Sequence, residues 1–149
     1  MRLLFCCLRW EYFIRLLTGI YYSMKQIINT DKAPAPIGPY NQAVLANGFL
    51  YVSGQIAIDP ATHQLVTSSI EQETTQVMAN LTAILDEAGF GFSDIVKTTI
   101  FLSDMSWFPI VNDIYGSYFI DEFPARETVA VAGLPKGVNV EISVIATKA

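Results

Sequence analysis

Residues 68–91 read SSIEQETTQVMANLTAILDEAGFG, and the reading of this stretch decides the fold. Ile70, Val77, Leu81, Ile84, Leu85 and Ala88 recur at helical spacing and mark one apolar stripe. Ser68 with Glu71 three residues on has the form of a capping box, and Gly89 supplies a stop. The spacing predicts one amphipathic helix lying on a sheet face, with its stripe in the core.

Working outward, the flanks read as strands. NQAVLANGFLYVSGQI (41–56) is strand, turn, strand, because Asn47-Gly48 between apolar runs suits a turn that needs positive φ at both positions. Gly54 interrupts the second of these strands, where a bulge or a close approach to a ligand is expected. KQIINT (25–30) alternates weakly and opens a sheet edge, and APAPIGPY (33–40) is an ordered loop. Downstream, DIVKTTIFLSD (94–104) is β-branched and alternating, a strand. SWFPIVNDIYGSYFIDEF (106–123) suits a second helix capped by Ser106, with Pro109 in its first turn and Ile110, Val111, Ile114 and Tyr118 along one side. ETVAVAGL (127–134) and VNVEISVIAT (138–147) are two more strands separated by PKG. The order β-β-β-α-β-α-β-β predicts an α+β layer pair, two helices on one face of a sheet, and not a doubly wound fold. The other sheet face also holds apolar groups, so the domain is expected to be an obligate oligomer.

Composition narrows the function. The chain has 149 residues, 52% of them hydrophobic and 15% charged, which suits one globular domain. Of the net charge of −5, residues 1–23 carry Arg2, Arg9 and Arg15 against Glu11, a local +2, which leaves −7 on the remainder. Such a surface repels phosphate backbones, and no nucleic-acid partner is expected. Both cysteines, Cys6 and Cys7, lie in the N-terminal segment, so residues 24–149 offer no disulfide, thiol nucleophile or thiolate metal site. The single histidine, His63, follows DPAT in a turn and reads as a solvated loop residue. No metal, no cofactor and no phosphate-binding glycine motif is expected. Asp94, Asp104 and Asp113 have no spacing suited to paired-carboxylate catalysis.

The segment MRLLFCCLRWEYFIRLLTGIYYS (1–23) is the compositional outlier. Its charges interrupt every apolar run short of a membrane span, and it fits a secretory signal poorly. It is either an amphipathic, transit-like helix or a product of an upstream start, with Met24 opening the domain at 24–149. The corresponding compartments are mitochondrial and cytoplasmic.

Arg126 is the only arginine after Arg15, and it stands at the mouth of a strand directly after Phe123-Pro124-Ala125. Its planar fork binds carboxylates through two bonds at once. Strand alternation puts Arg126, Thr128 and Ala130 on one side and Glu127 and Val129 on the other. With Glu141 from the next strand, Arg126 and Thr128 make either a small anion site or a ligand-free salt bridge to Glu141 or Glu127. Tyr40 either hydrogen-bonds a ligand or caps a core edge, and Asn112 either joins a site or is a solvated amide.

APAPIGPYNQA, YVSGQIAIDP, DIVKTTIFLSDM and FPARETVAVAGLPKGVNVEI, in this order and spacing, resemble the Rid family of reactive intermediate deaminases over about residues 24–148. The resemblance implies a chorismate-mutase-like α+β fold and a homotrimer with three equivalent sites between subunits. It implies a cofactor-free hydrolysis of small enamine and imine carboxylates, such as 2-aminoacrylate and 2-iminopropionate, to 2-keto acids and ammonia. Arg126 matches the family arginine on the substrate carboxylate, and Glu141 the glutamate that positions or activates water. Tyr40 and Gly54 match residues lining the pocket, and Asn112 a helix asparagine beside it. Thr128 falls where many members have cysteine, and Gly133 where deaminating members commonly carry a basic residue. The same cleft would equally serve a non-catalytic module that senses small carboxylic acids. An endoribonuclease, a label long attached to the family, runs against the acidic surface.

Overall fold

A computed structural model of the chain describes residues 25–148; segment 1–23 and the start at Met24 lie outside the described residues. Strands β1 (Gln26–Ile28), β2 (Ala43–Ala46) and β3 (Phe49–Gln55) precede helix α1 (Ile70–Glu87). Then follow β4 (Ile95–Leu102), α2 (Phe108–Gly116), β5 (Ala125–Ala130) and β6 (Val140–Thr147). The order is the one the sequence predicts. They form one six-stranded sheet in the order β1-β2-β3-β6-β4-β5. All pairings are antiparallel except β4 with β5, which are parallel and joined by the crossover that α2 supplies.

The expected turn is present, with Asn47 at φ 52° and Gly48 at φ 81°. Helix α1 buries Val77, Met78, Leu81, Ile84 and Leu85 against β-strand residues Leu50, Ile100, Val140 and Ile142. Each such side chain contributes about 1.5–3 kcal/mol. Its cap is Ser69, not Ser68: Ser69 accepts from the Gln72 N–H, while Ser68 Oγ bonds the Gln72 side chain. The helix closes as Gly89 implies. Gly89 at φ 74° lets its own N–H reach Asp86 O (2.9 Å) and the Phe90 N–H reach Leu85 O (2.8 Å).

Two other expectations move. Asp104, not Ser106, caps the turn before α2; its carboxylate accepts from the Ser106 N–H at 2.7 Å. Helix α2 ends at Gly116, and Phe119 folds back onto Tyr115 and Phe92 in an aromatic cluster. Strand β5 stops at Ala130 instead of running to Leu134, because its partner β4 ends at Leu102, whose carbonyl takes the Val131 N–H (2.9 Å) as the last bond.

Both helices cover one face, and the core lies between them and the sheet. The other face is open: Ile27, Val44, Tyr51, Ile145 and Lys97 lie in register across it, with Ile27 52% and Tyr51 47% exposed. Among the described residues no helix is long and apolar enough to cross a membrane.

Candidate functional site

Arg126, the second residue of β5, pairs in register with Thr98 of β4, a buried residue facing the helices. Its guanidinium lies over the Tyr115 ring, 5.0 Å from the centroid, and 5.8 Å from that of Phe108. Nη2 donates to Asn112 Oδ1 at 2.9 Å. Tyr115 is itself fixed, its hydroxyl donating to Thr98 Oγ1 at 3.0 Å. Burial pushes that hydroxyl up from its ordinary titration range, so it stays a neutral donor. Two aromatic rings and an amide thus hold the guanidinium in place. It borders a cleft of about 430 Å³ with Asn112, Tyr115, Gly116, Phe123 and Pro124.

Neither salt bridge open to Arg126 in the sequence forms. Glu127 points to the open face, where it binds Lys97 and accepts from Thr99 Oγ1 at 2.6 Å; those bonds hold its carboxyl below the ordinary range. That is the single ion pair among the described residues.

Glu141 lies on the other side of the sheet. Strands β5 and β6 are not neighbours, because β4 runs between them, so the expectation of adjacent strands is corrected. Glu141 pairs with Phe101 and Arg126 with Thr98, three residues apart on β4. An odd separation along a strand means opposite faces. Arg126 and Thr128 face the helices, and Glu141 the open side.

There Glu141 joins Tyr40 and Gly54 around a cavity of about 280 Å³, with Ile37, Ile56 and Pro135 as apolar walls. The ladder between β3 and β6 shifts register between Val52 and Gln55, the irregularity Gly54 predicts. Gly54 also permits a close approach: a Cβ there would fall 2.7 Å from Glu141 Cδ. Burial raises the Glu141 carboxyl above its ordinary range, and among the described residues no other charged side chain lines the cavity. Tyr40 does not cap a core edge; it is 44% exposed, and its hydroxyl accepts from the Ile37 N–H at 3.2 Å. The loop carrying it is held by Gln42, whose buried amide donates to the carbonyls of Thr30, Ala33 and Pro34 and accepts from the Thr30 N–H.

The structure therefore brings Tyr40, Gly54 and Glu141 into one cleft and Arg126 and Asn112 into another. Thr128 Oγ1 is buried on the Arg126 side and makes no hydrogen bond among the described residues. His63 is exposed in its turn. No group of three metal-ligating side chains gathers among the described residues. Sequence reading passed over Tyr115, although it lies three residues from Asn112 and so on the same helix face. Gln42 left no local signal, since its partners are 8 to 12 residues away in a loop.

Known proteins resemble this chain over most of its length. A family model described as endoribonuclease L-PSP matches residues 30–148. The 2-iminobutanoate/2-iminopropanoate deaminase of Bos taurus is 48% identical over 125 residues, 84% of this chain and 91% of that protein. The crystal structure of a putative endoribonuclease from Thermotoga maritima is 51% identical, with a TM-score of 0.82 over 85% of this chain and 99% of that one. E. coli TdcF, solved with bound serine, is 36% identical, with a TM-score of 0.80 over 84% and 100% of the two chains.

Proposed function

The chain belongs to the Rid family, and from that premise we propose that it is an imine deaminase, hydrolysing small 2-imino acids and their enamine tautomers to 2-keto acids and ammonia. One observation carries the reading. Arg126 is held over the Tyr115 ring, bonds Asn112, and has no carboxylate partner among the described residues. A preorganised guanidinium without a counter-ion suits a small carboxylate ligand. The deaminase named among the relatives acts on substrates of that kind, and the TdcF structure holds an amino acid.

The chemistry asks little of the protein. The carbon of a protonated imine is electrophilic, and water adds to it to form a carbinolamine. Glu141 accepts the proton from the attacking water and delivers it to nitrogen; the C–N bond then breaks, ammonia leaves, and Glu141 takes the hydroxyl proton as the carbonyl forms. Partial burial favours this role, because a carboxylate raised above its ordinary range is a stronger base at neutral pH. Tyr40 lies in the same cleft as Glu141, as a hydrogen-bonding group. Arg126 supplies orientation by clamping the carboxylate.

Clamp and base stand on opposite faces of one sheet, so a working site needs two copies of the chain. The proposed assembly is a homotrimer in which the open faces pack together and the Arg126 cleft of one subunit meets the Glu141 cleft of the next. The exposed row from Ile27 to Tyr51 supports it, being apolar surface that a monomer would leave in water. The ribonuclease description of the family is disfavoured here by the charge of −7 on residues 24–149. The domain is taken as 24–149 and the compartment as cytoplasmic.

The test is keto-acid and ammonia release from 2-iminopropionate generated in situ by an amino-acid oxidase, with the full chain present. Arg126→Ala should abolish the enzyme-dependent rate. Binding of small carboxylates without any rate acceleration in the native protein would replace the deaminase reading by that of a sensing module.

A further inference from the structure

Glu73 is a buried carboxylate that takes no part in this chemistry. It lies in the first turn of α1, among the apolar side chains Ile70, Val77 and Met78. Burying a carboxylate there is costly unless hydrogen bonds satisfy it, and packing alone would be served by an apolar residue. The bonds are present and all go to one place. Oε1 accepts from the backbone N–H groups of Asn139 (2.5 Å) and Val140 (3.1 Å), and Oε2 accepts from Asn139 Nδ2 (3.0 Å). Strand β6 begins at Val140, and the next residue is Glu141.

Asn139 is gripped from its other side as well. Its carbonyl accepts from the Ser103 N–H at 3.0 Å and its Oδ1 from Ser103 Oγ at 2.8 Å, so the residue is fixed between α1 and the end of β4. The remaining walls of the Glu141 cavity follow the same plan. Asn80, seven residues along α1 from Glu73, donates to the carbonyls of Ile56 (3.1 Å) and Ile58 (3.0 Å). Gln42 holds the loop of Pro34 and Tyr40. Three buried polar side chains thus each secure the backbone of one wall.

We propose that Glu73 is a positioning residue: by anchoring Asn139 and Val140 it fixes the start of β6, and with it the place of the Glu141 carboxylate over Gly54 and beside Pro135. The kinetic consequence rests on the deaminase reading; the geometric one stands without it.

The experiment compares native full-length protein, Glu73→Gln and Glu141→Gln in two measurements. One is steady-state hydrolysis of 2-iminopropionate. The other is a ¹³C NMR titration of side-chain carboxyls, in which the Glu141 signal is identified by its loss in Glu141→Gln. Among the described residues, Tyr40 is the only other titratable side chain in the cavity lining. In Glu73→Gln, kcat should fall about ten- to hundredfold with KM changed by less than about twofold, because the Arg126 clamp is untouched. The Glu141 titration should move down toward the ordinary carboxylate range as the side chain loosens into water. A lowered melting temperature with unchanged kcat and unchanged titration would overturn the proposal and leave Glu73 a structural residue. If the native protein hydrolyses no imine, the deaminase reading fails, and the titration alone decides: a shift supports positioning and no shift overturns it. If Glu73→Gln does not fold, Asn139→Ala takes its place, since it removes the amide but keeps both N–H bonds to Glu73. There a kcat loss of about threefold with the same downward shift is expected, and an unchanged pair of readings overturns the proposal.

Discussion

If a working site takes Arg126 from one chain and Glu141 from another, two inactive variants should repair each other. Arg126→Ala removes the clamp and leaves Glu141, and Glu141→Gln does the reverse. Within one chain the two residues cannot substitute for this pairing, since Thr98 and Phe101, their register partners on β4, point to opposite faces. When the variants are unfolded together in equal amounts and refolded, subunits assort at random around a closed ring. A site works only if its arginine comes from a Glu141→Gln chain and its glutamate from an Arg126→Ala chain. Each condition holds for about half of the positions, so about one quarter of native activity should return. The assay is keto-acid formation from 2-iminopropionate, with each variant refolded alone as its blank. Recovery should follow the product of the two mole fractions and peak at equal mixing. Activity that stays at the level of the blanks, with mixed oligomers demonstrated by native mass spectrometry, would refute the composite site.

Further expectations follow from individual contacts. Gly54→Ala puts a Cβ 2.7 Å from Glu141 Cδ and closer still to its Oε1, so the carboxylate must retreat by roughly 1.5 Å; kcat should drop about 100-fold. Gly133→Ala, which meets nothing within 4 Å and has no positive φ, is the matched control and should keep native kcat. Arg126→Lys keeps the charge but loses the two-pronged fork and its stacking on Tyr115, so kcat/KM should fall about tenfold or more, mainly through KM. Burial raises the Glu141 carboxyl, so the rate should fall as pH drops through a value above the ordinary carboxylate range. The sign for stability is the reverse of a salt-bridged acid. The folded state favours the protonated form, so Glu141→Gln should raise Tm at neutral pH, and the gain should vanish once pH lies below the unfolded pKa. Gln42→Ala strands three loop carbonyls and the Thr30 N–H, and thermal or urea denaturation should register a loss of about 2–4 kcal/mol.

Much of this was legible in the chain itself. Helical spacing from Ile70 to Ala88, the Asn47-Gly48 turn and the β-branched run 95–102 each carry their own local cause, and each element formed where those causes act. Gly54 marks the bulge from sequence alone, whereas the side chain that approaches it, Glu141, is set by the tertiary structure. Alternation placed Arg126 with Thr128 and against Glu127, because side-chain direction within a strand depends only on position along it. The boundaries that moved did so for reasons outside their own segments. Strand β5 ended early because β4 gave it no further partner, and the Ser106 cap yielded to Asp104, a better-placed acceptor for the same turn. Tyr115 under the guanidinium shares a helix face with Asn112, but Gln42 under the loop and Glu73 behind β6 carry long-range bonds that leave no trace in local pattern. The relation of Arg126 to Glu141 belongs wholly to the tertiary structure. Alternation fixes faces within one strand, but neither strand order nor the phase between strands is written in that period of two. Insertion of β4 between β5 and β6 supplied both, and it set the two candidate side chains on opposite sides of the sheet.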